Sequence, residues 1–502
     1  MKPIYIVSLI IFLCVGLRLV NLDKGYSSDE GWLLKVAGSD FNKIVPALRT
    51  GNSVFPPLSP FLVHFWMRVS TAEPWVRGYF VFFGVAICIL VYQLGRLFID
   101  RAFGQIAFFA SAVSPLLIWA SQFVRSYIDS AFWALLSIYF MLRILKRAGS
   151  IGVFLGYVVS SLLAIYSSHL FIPLLIAQNI FIFIFYLRDV AFLRKWLVSQ
   201  SILITLSLPC LTLLASQVNH ASGMADRWAS KGLHLFGVNI GHYPRGIAAV
   251  IGMDPGFLTG YALTDKFNKL ILIGIAAISL FLAVWVIYRG ISKLKAGMAD
   301  IRLALFFPAI LVLSLIIYDI AGYLLATPLQ QAEYFIVQHI LFIFIMAVFV
   351  YSIKKEKLNL KLLLLAGIGA VYLLRFGDAV KPEFDTKKAS IYLFRNIKPE
   401  DTLLMVRNTN TYIDSNMPNA VVMAEFLQRN HDSGYYEPLN KKAKAKLSEI
   451  KEKSSDLWFY KLYSNDDILG ANRLIEDWLA KNGYQVYRAE KFRKISIINY
   501  KK

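Results

Sequence analysis

The chain has 502 residues, of which 57% are hydrophobic and only 17% charged, with a formal net charge of +21 and a mean hydropathy of +0.55. A soluble domain carries about a quarter of its residues charged, so this balance excludes an ordinary water-soluble protein and argues against reading the positive charge as a nucleic-acid surface. The three cysteines, Cys14, Cys88 and Cys210, all fall inside apolar runs, which implies no disulfide framework.

Apolar runs recur at 4–20, 76–98, 104–120, 131–145, 151–165, 170–186, 197–215, 270–288, 303–320, 334–351 and 358–374. Each approaches the roughly 20 residues that a helix needs to cross the hydrocarbon core. Together they predict a polytopic α-helical membrane protein with about eleven spans. The first run is too long for the apolar part of a signal peptide and has no small-residue cleavage site behind it, so it reads as an uncleaved span.

Every second connection is short and basic: Arg96 and Arg101; Lys146 and Arg147; Arg188, Arg194 and Lys195; Arg289 to Arg302; Lys354 to Lys361. Lys and Arg concentrate on the cytoplasmic side, so the N-terminus is expected inside and the alternate loops outside. The first outward segment, 21–74, carries short helices near 29–37 and 41–49. The Pro-rich stretch "FPPLSPFLVHFWMRV" that follows reads as an interfacial helix. Residues 120–127 and 166–169 make tight outward turns, and 216–269 is a long outward loop rich in Gly, His, Trp and Tyr. The transmembrane module runs from 1 to 377.

From 378 to 502 the chain turns hydrophilic, with apolar patches "TLLMVRN", "AVVMAEFL", "DLWFYKLY" and "ISIINY" between helix-like pieces at 386–397 and 471–482. This predicts a small α/β domain on the outer side. The basic run at 440–453 reads as a solvated helix face.

Among chemically capable residues, Asp29 and Glu30 open a short helix just after the first span. Neighbouring helical residues point about 100° apart, so the two carboxylates do not form one acid pair. The simplest reading is that 27–29 cap a surface helix. Arg125, in "SPLLIWASQFVRSYID", is either a snorkelling interfacial cation or a phosphate ligand, because a guanidinium fork matches phosphate oxygens. His169, in "LAIYSSHLFIPLL", interrupts two apolar runs, and is a satisfied core histidine or a ligand contact. Arg18 and Arg77 suit either kind of role. No Gly-rich phosphate loop, H-E-x-x-H or paired CxxC is present, and His220, His234 and His242 lack metal-ligand spacing.

The order of these pieces resembles the polyprenyl-phosphate-dependent GT-C glycosyltransferases of family 39, the protein mannosyltransferase and aminoarabinose transferase relatives. "GLRLVNL" is followed by "SSDEGW", similar to the first-loop Asp-Glu motif. "PPLSPFLVHFW" and "WVRGYFVFFGVAICILVYQLGRLF" follow, then "SPLLIWASQFVRSY" and "LAIYSSHLFIPLLIAQ". The match covers about 18–178 well and weakens over 197–351. It departs from the family at Phe123, where a glutamate is usual, and at Glu333–Tyr334, where an Arg-Tyr pair is usual.

The resemblance implies a GT-C membrane enzyme that moves a sugar from a polyprenyl-phosphate donor to a hydroxyl acceptor, with inversion, on the outer face of the inner (plasma) membrane. It implies Asp29 as the base and Glu30 as its capping or supporting partner. Arg125 and His169 would hold the donor phosphate, supported by Arg77, with Tyr127 as a further polar contact. The partners are the bilayer, the lipid-linked sugar donor and a hydroxyl-bearing acceptor. No metal ligand set is assigned, and metal dependence stays open, as do the sugar and the acceptor. A lipid or sugar flippase, or a polysaccharide polymerase, is the alternative; it would need no outer-surface base, and a flippase would carry polar groups through mid-span. A scaffold for the outer domain would need neither Asp29 nor Arg125.

Overall fold

A computed structural model of the chain describes residues 3–50, 55–146, 150–228, 234–235, 238–239, 250, 301–324, 332–353, 358–382, 385–398, 401–405, 421–422, 456–462 and 466–501. The expected span at 270–288, most of the loop 216–269 and the run 440–453 lie outside them. The chain divides into two compact units, Met1–Leu22 with Val36–Val380, and Asp23–Lys35 with Lys381–Lys502.

The first unit is helical. It contains α1 (Pro3–Leu19), the end of α2 (Ser28–Ala37), a 3-10 turn at Phe41–Lys43, α3 (Ile44–Thr50), α4 (Leu58–Met67), α5 (Glu73–Phe98), α6 (Arg101–Val113) and α7 (Pro115–Gln122). Then come α8 (Tyr127–Leu145), α9 (Ile151–Ser167), α10 (Phe171–Tyr186), α11 (Val190–Trp228) and the two-residue strands β1 (His234–Leu235) and β2 (Val238–Asn239). It ends with α12 (Ile301–Ala304), α13 (Phe306–Leu324), α14 (Ile336–Ser352), α15 (Leu358–Leu374) and α16 (Phe376–Val380).

Among the described residues, four stretches are long and apolar enough to cross a bilayer: Glu73–Phe98, Tyr127–Leu145, Val190–Gln217 and Glu333–Ser352. Six shorter apolar helices of 10–17 residues accompany them. The chain is a multi-pass membrane protein. The run 104–120, expected as one span, is bent by 59° between α6 and α7. The cause is local: Pro115 has no N–H to continue the helical ladder and takes the first position of α7, while the Ser114 hydroxyl caps it by accepting from Leu117 N at 3.3 Å. The expected interfacial helix is α4. It is closed by Trp66 and Trp75, whose stacked indoles, 4.7 Å apart, each donate to the other's backbone carbonyl.

At one end of this unit the connections are short. Asp100 caps α6 by accepting from Phe103 N at 2.9 Å. A Cβ placed on Gly95 would lie 2.6 Å from the Gly104 Cα, so only glycine lets α5 and α6 touch backbone to backbone there. Phe98, Phe103, Phe307 and Phe344 fill the same end, Tyr351 donates to Asp100 Oδ2 at 2.6 Å, and Lys146 Nζ donates to Phe98 O at 3.0 Å. This is the end that carries the basic connections.

The second unit joins a segment before the first helical loop to the hydrophilic tail. Its elements are the start of α2, α17 (Thr386–Asn396), β3 (Thr402–Met405), β4 (Val421–Val422), β5 (Asp456–Leu462), α18 (Asp466–Lys481), β6 (Gln485–Phe492) and β7 (Ile495–Lys501). The five strands run in the order β4-β3-β5-β7-β6, with β3 parallel to β4 and β5, and β7 antiparallel to β5 and β6. Leu457, Trp458, Phe459 and Tyr460 are all buried, as befits a central strand covered on both faces. Ala389 and Leu393 of α17 and Ile475 and Leu479 of α18 complete this core. The apolar patches with some strand character contain β3, β4, β5 and most of β7; β6 lies in none of them, and its residues are exposed almost throughout.

Candidate active site

The end of the helical unit opposite the basic connections gathers the polar side chains. Helix α7 stops at Gln122, and Phe123–Ser126 turn the chain into α8. Two tight backbone bonds, Arg125 N to Phe123 O at 2.8 Å and Tyr127 N to Arg125 O at 2.7 Å, shape that turn. It presents Arg125, which is 9% exposed, with its guanidinium 4.3 Å from the Phe55 ring centre and 5.9 Å from that of Tyr127. Arg77 of α5 is fully buried and donates to the carbonyl of Gln122, bracing the turn from behind. The Gln122 side chain in turn donates to Arg18 O at 2.9 Å and Val20 O at 2.8 Å.

His169 sits in the three-residue gap between α9 and α10, with Nε2 3.4 Å from Gln217 Oε1. Gln217 Nε2 donates to Leu48 O at 3.0 Å and Phe55 O at 2.8 Å. His169 and Arg125 are therefore joined through Gln217 and Phe55, as neighbours at one end of the unit. Burial lowers the His169 pKa to about 4, with the Gln217 contact opposing, so the ring is neutral near pH 7. A neutral imidazole carries no charge and a single N–H, and here that N–H points at Gln217 Oε1.

Asp129, one turn into α8, was not singled out from the sequence. It is fully buried; Oδ2 accepts from Ser59 Oγ at 2.6 Å and Tyr79 OH at 3.2 Å, and Oδ1 from Ser130 N at 2.9 Å. The carboxylate ties α4, α5 and α8 together beneath the Arg125 turn. The available signal was a carboxylate inside a span, which is costly without partners, but its partners lie 50 and 70 residues away.

Arg18 has a different setting. It is fully buried between α1, α5, α6 and α7. Nε donates to Ser121 Oγ at 3.1 Å, one terminal nitrogen to Cys14 O and Ala112 O at 3.1 and 2.9 Å, and the other to Ser111 O at 3.3 Å. Ser111 and Ala112 close α6, so Arg18 satisfies carbonyls that the break at Pro115 leaves without a helical partner.

Beside the Arg125 turn a small open cleft, with a free volume of about 30 Å³, lies between α8, α10, α13 and the start of α14. Its polar lining comprises Tyr127 and Ser130, Ser168, Tyr318, and Glu333, Tyr334 and Gln338. Tyr127 and Tyr334 meet edge to face with centres 5.9 Å apart.

In the second unit, Ser27 and Glu30 form a reciprocal capping box. Ser27 N donates to Glu30 Oε2 at 2.7 Å, and Glu30 N approaches Ser27 Oγ at 3.4 Å. Glu30 is 3% exposed, so its carboxylate holds the helix start. Asp29 lies in the first turn of α2, and its side chain is outside the described residues. The loop before it is held by α17: Thr386 Oγ1 donates to Tyr26 O at 2.9 Å and Lys387 Nζ to Asp23 O at 2.8 Å. A Cβ on Gly25, whose φ is +83°, would lie 3.0 Å from the Lys387 Cβ. His220, His234 and His242 have no described side chains, and among the described residues no three His, Cys, Asp or Glu side chains converge as metal ligands.

No protein-family model matches the chain, and no curated protein sequence matches it. Solved structures do. ArnT from Cupriavidus metallidurans bound to undecaprenyl phosphate is similar over 98% of this chain and 97% of its own, at 12% identity and a TM-score of 0.60. The archaeal oligosaccharyltransferase AglB from Archaeoglobus fulgidus, in complex with an inhibitory peptide and a dolichol-phosphate, is similar over 91% of this chain and 69% of its own, at 14% identity and a TM-score of 0.55. The Archaeoglobus fulgidus oligosaccharyltransferase tethered to an acceptor peptide covers 98% and 73%, at 14% identity and 0.53. At such identities the likeness speaks to architecture, and the architecture of this chain is the GT-C fold.

Proposed function

We propose that the chain is a membrane glycosyltransferase that moves a sugar from a polyprenyl-phosphate carrier to a hydroxyl acceptor. The observation that carries this reading is the end-to-end likeness to a protein whose structure holds undecaprenyl phosphate. In this reading the acceptor oxygen attacks the anomeric carbon, the bond from that carbon to the phosphate oxygen breaks, and the polyprenyl phosphate leaves with the electron pair. Asp29 takes the hydroxyl proton, a role that rests on the "SSDEGW" motif. Arg125 receives the phosphate charge and Tyr127 adds a phenol beside it, while His169 reaches the phosphate by exchanging its Gln217 bond for one to a phosphate oxygen. Arg77 acts by fixing the turn that presents Arg125. Glu30 holds the helix that carries Asp29. One base and in-line attack invert the anomeric centre. Alternation of the basic connections supports an outward-facing reaction at a plasma membrane, with a carrier of the undecaprenyl kind.

The test is mass spectrometry of lipid-linked sugars and envelope glycans in cells with the intact gene, without it, and with Asp29→Asn. Loss of the gene and Asp29→Asn should both raise the polyprenyl-phosphate sugar pool and strip one sugar from one glycan. Unchanged pools and glycans in both would overturn the assignment.

A further inference from the structure

The loop before the acidic motif is fixed from both sides of a single peptide plane. The plane that joins Tyr26 to Ser27 is rigid, so its two polar groups cannot turn independently. Its carbonyl accepts from Thr386 Oγ1 at 2.9 Å, and its N–H donates to Glu30 Oε2 at 2.7 Å. The next carbonyl, that of Ser27, accepts from Gly31 N at 2.9 Å and opens the ladder of α2. Where Thr386 stands therefore sets the direction in which α2 leaves the loop, and with it the course of the backbone at Asp29.

Thr386 is itself held in place. It is buried and opens α17. The residue before it, Asp385, donates its N–H to Arg493 O at 3.2 Å, in the turn between β6 and β7. Ala389 and Leu393, three and seven residues on, are packed in the core of the second unit. The residue after it, Lys387, donates Nζ to Asp23 O at 2.8 Å. Gly25, at φ +83°, leaves no room for a side chain: a Cβ would lie 3.0 Å from Lys387 Cβ and 3.2 Å from Thr386 Oγ1. Residues 385–387 thus pass the position of the sheet on to the loop at 23–27. The Ser27–Glu30 box alone suffices to cap a surface helix. The second bond, from outside, to the same plane adds orientation rather than capping.

We propose that Thr386 is a positioning residue for the transfer reaction, and that the hydrophilic tail is the mount that aims the acid of the motif. The inference rests on the transferase reading, in which Asp29 takes the hydroxyl proton, and deepens it by naming what orients that base. A general base works only within hydrogen-bond reach of the proton it removes, and a displacement of about 1 Å can cost on the order of 10²-fold in rate. Thr386 acts through the Tyr26–Ser27 plane and not on the substrate.

The test compares the full chain with Thr386→Val, which keeps the shape and removes the donor, and with Thr386→Ser, which keeps the donor. Hydrogen–deuterium exchange in nanodiscs reads the loop and the start of α2. Mass spectrometry of cells reads the polyprenyl-phosphate sugar pool at matched levels of folded protein. Thr386→Val should speed exchange over 23–35 by roughly tenfold, the scale of one lost buried hydrogen bond. It should also raise the pool towards its level in Asp29→Asn cells, while binding of bare polyprenyl phosphate stays unchanged. Thr386→Ser should restore both exchange and pool. Lys387→Met, which removes the neighbouring bond to Asp23, should act in the same direction by a smaller factor, and it decides the matter if Thr386→Val does not accumulate. If Thr386→Val lowers melting but leaves the pool per folded molecule at the wild-type level, the contact is a tie within the tail, and the inference fails while the transferase reading stands. Unchanged exchange overturns it equally. If Asp29→Asn also leaves the pool unchanged, the transferase reading falls and takes the inference with it.

Discussion

Two arginines at the same end of the helical unit stand in contrasting surroundings. Around Arg18, backbone carbonyls of α1 and α6 and the Ser121 hydroxyl take up the guanidinium, and Gly84 lets α5 close over it. Around Arg125, the planar cation lies over the Phe55 ring and near that of Tyr127, which lines the cleft. One cation completes a helix joint; the other shapes a turn whose next helix borders the cleft. Both are buried, so burial alone does not separate them. On the reading proposed above, Arg18 is structural and Arg125 is the phosphate ligand.

The contrast breaks most sharply at the joint. Arg18→Met should destabilise the protein by about 3–5 kcal/mol, because several buried carbonyls lose their donors at once; thermal unfolding in detergent measures it, and unchanged melting would remove the structural role. Arg125→Ala should do the reverse, lowering transfer by about 10²–10³-fold with little change in melting. Arg125→Lys should recover only part of that loss, since a point charge lacks the planar fork. Gly84→Ala sharpens the comparison from the other side. Its Cβ would lie 1.9 Å from Ser121 Oγ and 3.3 Å from Arg18 Nε, so the joint must shift, at a cost of about 1–3 kcal/mol.

The smallest effect is one of pH. Burial holds the His169 pKa at about 4, against about 6.5 in an unfolded chain. The folded state favours the neutral ring, so its contribution is complete above pH 6.5 and is lost as pH falls through 4. His169→Gln should flatten the decline in melting temperature between those values, and an equal decline in both proteins would remove the assignment.

Much of the fold is legible in the sequence, because apolar runs of bilayer length and alternating basic connections follow from the cost of hiding polar groups in lipid. The capping box at Ser27–Glu30 is legible for the same reason that any local motif is: its partners lie three residues apart. The break at Ser114–Pro115 was present as a serine-proline pair but hidden by unbroken hydrophobicity on either side. Asp129 was harder still. It sits in an apolar helix, and what gives it meaning is a pair of hydroxyls supplied by distant stretches of chain. Arg125 could be picked out and Arg18 could not be distinguished from it, since only the folded neighbours differ. Strand β6 escaped because its exposed residues carry no periodic signal, and its pairing with β7 alone makes it a strand.

The grip of Thr386 on the carbonyl of Tyr26 spans 360 positions of sequence. A ribosome delivers this loop carbonyl 360 residues before its tether. The opening loop thus acquires its final shape only after the helix that holds it has been made, and a nascent chain that ends before that helix has not yet assembled the support on which the acidic motif rests.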